Sequence, residues 1–139
     1  MIEKIKNAAK NLGACKLIGE IKDNATLSQS FFSPQGREFC AKYNFPSLDM
    51  FRQIKSELTE DMGFFVDFGH LYRSNDGSIA LIGETHGELN YNGCTEAYRI
   101  VLMHGAKATI KASNYALLQI TNIGGCEINI EKDDTVIVL

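Results

Sequence analysis

The sequence predicts an α+β protein, a single domain over 1–139. A helical subregion to about residue 62 caps a short β-solenoid over 64–139, a single-stranded right-handed β-helix. Three observations lead there. Apolar residues follow helical spacing before Gly63 and a period of two after it. Strand-like segments in the second half begin at intervals of about 8 to 11 residues. The dipeptide His-Gly recurs at His86-Gly87 and His104-Gly105, 18 residues apart, with Asn122 a further 18 on. Turn chemistry repeating at a fixed period marks a coil that returns to the same place each lap. An antiparallel β-sandwich fits the strand spacing too, but hairpins have no reason to repeat at every second turn.

The elements follow in order. Ile2, Ile5, Ala9 and Leu12 share one face of a first helix that stops at Gly13. Residues 14–25 are ambiguous, Lys16 to Ile21 being either a short helix or a loop. A second helix starts near Ala25 and runs to Phe32. Ser33-Pro34 reads as an N-cap with proline in the first turn, opening a helix to Tyr43. Ser47 repeats the device for a helix from Leu48 to Leu58, with Leu48, Phe51, Ile54 and Leu58 as its apolar stripe.

From Phe64 the alternation is strand-like. Strands are expected from Phe64 to about Tyr72, then at 79–82, 87–91, 97–103, 106–112, 115–121, 126–131 and 135–139, with a turn at Asn75-Asp76-Gly77. An 18-residue lap stacks Ile100, Leu118 and Val136 in one column and Leu102, Ile120 and Val138 in another. About three laps result, and the helices are the natural cover for the coil's ends.

The composition, 45% hydrophobic and 22% charged, excludes disordered and collagen-like classes. No apolar run approaches the roughly 18–20 residues of a membrane span. The segment Met1 to Lys6 lacks the apolar core of a signal peptide, so a cytoplasmic location is expected. A net charge of −3 disfavours nonspecific binding to a phosphate backbone. Cys15, Cys40, Cys94 and Cys126 are scattered without a Cys-x-x-Cys pair, which argues against structural zinc and for buried free thiols.

Chemistry-bearing residues are few. On the 18-residue lap, His86 and His104 stack one strand apart with Glu84 and Glu88 flanking the first. Such a pair could share a metal ion in a small metal-dependent enzyme. Without a third ligand, stacked polar corners that bond nearby backbone are the simpler reading, so no metal and no cofactor are expected. Cys126 with His104 could form a nucleophile and base, but no oxyanion hole or orienting acid accompanies them. No catalytic residue is assigned. Asp133-Asp134 and Gly124-Gly125 read as turns.

The helix pair over 34–58 matches a helix-turn-helix in length, and its second helix carries Arg52, Gln53 and Lys55, able to reach bases or phosphates. Asp49 and Glu57 share that helix, which favours a simple αα-hairpin. The last strand, Thr135 to Leu139, is apolar and suited to pairing with another chain or a second copy.

The stretches Phe32-Ser33-Pro34-Gln35-Gly36-Arg37-Glu38-Phe39-Cys40, Asn44-Phe45-Pro46-Ser47-Leu48 and Leu102-Met103-His104-Gly105-Ala106-Lys107-Ala108 resemble a group of small bacterial and mobile-element proteins. In that group a helical segment precedes a β-rich tail. The resemblance implies a bacterial or phage protein of one domain and carries no activity and no site residues. The expected function is a non-enzymatic protein-interaction or assembly module, self-associating or binding a protein partner. A nucleic-acid-binding regulator and a metal enzyme are the alternatives.

Overall fold

The computed structural model describes residues 1–14, 18–93 and 95–139. They form two compact units, Met1–Met62 and Gly63–Leu139, so the change of periodicity near Gly63 coincides with a structural boundary. Cys15, Lys16, Leu17 and Cys94 lie outside the described residues, and with them part of the ambiguous stretch and two of the four expected buried thiols.

The first unit has four α-helices among the described residues: α1 (Ile2–Asn11), α2 (Asn24–Phe32), α3 (Pro34–Tyr43) and α4 (Leu48–Ile54). Each of the last three starts where a side chain satisfies the orphan N–H groups of a first turn. Asp23 accepts from the Thr26 backbone N–H at 2.9 Å, and Thr26 Oγ1 accepts from the Asp23 N–H at 2.9 Å, a reciprocal capping box. Ser33 Oγ accepts from the Gly36 N–H at 3.0 Å, and Ser47 Oγ from the Met50 N–H at 3.1 Å. α3 ends on Asn44 in the left-handed region at φ 49°. α4 is shorter than its apolar stripe suggested. Ile54 leaves helical geometry at φ −101°, ψ 3°, and Lys55–Glu57 tightens into a 3₁₀ turn. Leu27, Phe31, Phe32, Phe45, Phe51 and Ile54 are buried.

The second unit is a β-solenoid of about four laps. Its strands are β1 (Phe64–Val66), β2 (Gly69–Ser74), β3 (Ser78–Ile82), β4 (Thr85–Asn92), β5 (Ala97–Met103), β6 (Lys107–Ser113), β7 (Leu117–Asn122), β8 (Glu127–Lys132) and β9 (Ile137–Val138). Odd strands build a sheet of order β1-β3-β5-β7-β9 and even strands one of order β2-β4-β6-β8. Every pairing in both is parallel, which removes the antiparallel sandwich.

The lap is not constant at 18. Phe64 pairs with Ala80, 16 residues on; Ile79 with Ile100, 21 on; Ala97 with Leu117 and Leu117 with Ile137, each 20 on. The corners cause the spread. Two residues, 67–68, join β1 to β2, whereas four, 93–96, join β4 to β5. The expected columns are therefore corrected: Ile100 pairs with Ile120 and Leu118 with Val138. The two-residue error leaves the side-chain parity intact, because strands alternate faces with period two. Ile100, Leu102, Leu118 and Val136 accordingly still line the interior.

That interior is filled by Ile79, Leu81, Ile100, Leu102 and Leu118 from the five-stranded sheet against Leu71, Leu89, Ala108 and Ile110 from the other. β3 and β5 are buried on both faces, with Ala80, Ile82, Val101 and Met103 also fully covered. Such near-continuous apolar strands are typical of buried parallel sheets. Gly87 faces Leu81, whose Cδ1 would lie 2.7 Å from a Cβ placed there.

Polar side chains hold the corners. Asn75 Oδ1 accepts from the Asn92 N–H at 2.8 Å, and Asn114 Nδ2 donates to Asn92 Oδ1 at 2.7 Å, making an amide column over three laps. Asn122 clasps the Gly124-Gly125 turn, accepting from the Cys126 N–H at 2.7 Å and donating to its carbonyl at 2.8 Å. No helix among the described residues is long and apolar enough to cross a membrane.

Candidate functional site: the polar face of the four-stranded sheet

Alternation in β2, β4, β6 and β8 aims every second side chain away from the core, and parallel register sorts these into columns. His70, His86, Lys107 and Glu127 form one; Tyr72, Glu88, Thr109 and Asn129 the next; Ser74, Asn90, Lys111 and Glu131 the third. Within a column, neighbours stand one strand spacing apart, roughly 4.8 Å.

One corner of this face is a connected network. His70 Nε2 lies 3.1 Å from Glu88 Oε2, and the His70 ring stacks on Tyr72 at 5.3 Å with a 29° tilt. The His86 ring lies 4.6 Å from that of His70, and His86 Nε2 lies 3.3 Å from Thr109 Oγ1. Tyr72 is 71% exposed. The hydrogen bond from the Tyr72 hydroxyl, followed by that from His70, holds the Glu88 carboxyl below its usual range; the same bond to Glu88 pushes the Tyr72 phenol up. Further along the face, Lys107 and Glu127 approach to 3.5 Å in the open, a pair worth little. At the far end of the strands a cleft of about 560 Å³ is lined by Ser74, Asn90, Asn92, Lys111, Glu131 and Asp133, among others.

His86 is thus on this face, but its partner is His70 and not His104. The dipeptides that suggested the pairing are not equivalent: His86-Gly87 lies within β4, whereas His104-Gly105 is the corner after β5, with His104 at φ 58°. In register, His86 meets Lys107. His70 was missed because its dipeptide is His70-Leu71; the usable signal was its outward parity 16 residues before His86. Among the described residues no three His, Cys, Asp or Glu side chains gather so as to hold a metal ion.

Cys126 is buried, and its thiol lies 3.5 Å from the Ile123 carbonyl, in keeping with a core position. Cys40 is likewise a buried free thiol, its pKa pushed up to about 12 by burial, which keeps it protonated and unreactive. Asp133-Asp134 is a corner, where Thr135 donates to Asp133 and holds its carboxyl low. Arg52 and Lys55 belong to the other unit, exposed on α4 and in the 3₁₀ turn after it. No known protein family, curated protein or solved structure matches the chain.

Proposed function

We propose that the chain is a non-enzymatic interaction or assembly module that docks a protein partner on the outer face of its four-stranded sheet. The supporting observation is the character of that face. It is regular over four strands, carries an ordered Tyr72–Glu88–His70–His86 network, and leads into a polar cleft, with nothing arranged as a nucleophile beside a base. Amphipathic aromatic rings and hydrogen-bonding groups of both polarities suit a protein surface. A cytoplasmic setting agrees with the buried free thiols of Cys40 and Cys126. An accessory role in a bacterial mobile element is the process that the sequence resemblance suggests.

The nucleic-acid alternative has less support, since the helical unit carries nine basic and eight acidic residues, without the excess a phosphate-binding surface needs. A second reading, self-association, is favoured by the exposed side chains of Ile130, Ile137, Val138 and Leu139 on the last lap. Capture experiments with the tagged full chain discriminate. A stoichiometric protein retained by the wild type and by R52A/K55A, but lost with Y72A/K111E at unchanged circular dichroism, is the expected outcome. Capture indifferent to Y72A/K111E rejects this face. Sedimentation velocity that finds monomer throughout the micromolar range rejects self-association.

A further inference from the structure

Of the ten asparagines, Asn92 alone is followed by glycine. At the other nine, the next residue carries a Cβ that crowds its own amide nitrogen; glycine leaves that nitrogen free to approach the preceding side chain. Asn92 ends β4 and is exposed. Gly93 adopts φ +96°, and a Cβ built there would meet nothing within 4 Å. Its N–H reaches the Ser113 carbonyl only at 3.4 Å, the long limit of a hydrogen bond. On the other side, Asn114 Nδ2 donates to Asn92 Oδ1 at 2.7 Å.

We propose that Asn92 is a self-modification site, deamidated through attack of the Gly93 amide nitrogen on its side-chain carbonyl carbon. A bond forms between Gly93 N and Asn92 Cγ, and the Gly93 N–H proton passes to water. The Cγ–Nδ2 bond then breaks and the amide leaves as ammonia, protonated from water, closing a five-membered succinimide. Water opens that ring at either carbonyl, giving aspartate or an isoaspartate whose main chain is one methylene longer. Overall one water is consumed and one ammonia released, with no redox change. Asn114 is the positioning residue: its N–H points at the oxygen that becomes negative during the attack, as an oxyanion donor does.

The products fall on the amide column and on the cleft. Aspartate puts a new negative charge among Asn75, Asn114 and the cleft residue Lys111. Isoaspartate shifts the backbone that ties Asn92 to Asn75. This inference stands independently of the docking reading.

The test is peptide mapping of the purified full chain, incubated at mildly alkaline pH beside the same chain in urea. In the native chain, aspartate and isoaspartate should accumulate at position 92 several-fold faster than at any other asparagine. Asn114→Gly removes the donor while tolerating the left-handed φ of 53°, and should slow the reaction. Asn92 that stays intact in the native chain while converting in urea overturns the proposal, as does a native rate no higher than at the other nine. A faster reaction in the Asn114→Gly variant overturns the role of Asn114.

Discussion

Two glycines show how one atom's surroundings decide a substitution. In an open helix, Gly36→Ala would stabilise by about 1 kcal/mol. Here the new Cβ would stand 1.8 Å from the Ser30 carbonyl oxygen, which is backbone and cannot swing aside. A loss of about 3 kcal/mol or more is expected in thermal melts of that variant. Gly87→Ala meets instead the tip of Leu81, which can turn, so about 1 kcal/mol is expected, with partial rescue by Leu81→Val. Glu88 offers a second check. Its folded pKa is lowered, chiefly by the Tyr72 hydroxyl, so its contribution to stability is complete above the usual glutamate range and is lost as pH falls through the lowered value. NMR titration should show the Glu88 carboxyl moving up towards its ordinary value in Tyr72→Phe; an unmoved midpoint would dismiss that bond. His70 belongs to the same network yet was not legible beforehand, because the dipeptide Thr85-His86-Gly87 drew attention to His104 and the true partner shares no dipeptide with it.

Helix boundaries are written locally, and there the sequence was an accurate guide. Ser33 with Pro34, and Ser47, cap helices through bonds three residues away, so nothing distant is needed to foresee them. Ser33→Ala and Ser47→Ala should each cost about 1 kcal/mol, measured by denaturant unfolding of the full chain. The end of α4 was overrun because the periodic stripe continues to Leu58 while the backbone tightens at Lys55; a 3₁₀ turn preserves enough of the pattern to pass for helix. Strand edges shifted by only a residue or two, as at β4, which starts at Thr85 rather than at residue 87. The corners are less transparent. Asn75, Asn92 and Asn114 stand in one column, yet unequal spacings of 17 and 22 residues hide them from any search for a fixed period.

In the solenoid as a unit, stability rests on the interior between the two sheets. Ile110 and Leu102 are wholly buried there, and truncating either to alanine should cost about 2–5 kcal/mol. Hydrogen exchange should be slowest in β3, β5 and the middle of β6, and faster in β8, which is largely exposed. Uniform protection across all laps would contradict this distribution of burial. By itself the sequence determined that helices precede a parallel coil, where most elements lie and which side chains point inward, because these follow from caps and from periods of 3.6 and 2 within a few residues of chain. Lap length and cross-strand partners were settled only in three dimensions. Each corner absorbs a different number of residues, and a strand's register is fixed by the fit of Leu81 over Gly87 and Ile79 against Ile100, contacts between positions that no single period connects. The pairing of His70 with His86, and with it the candidate face, is a consequence of that fit.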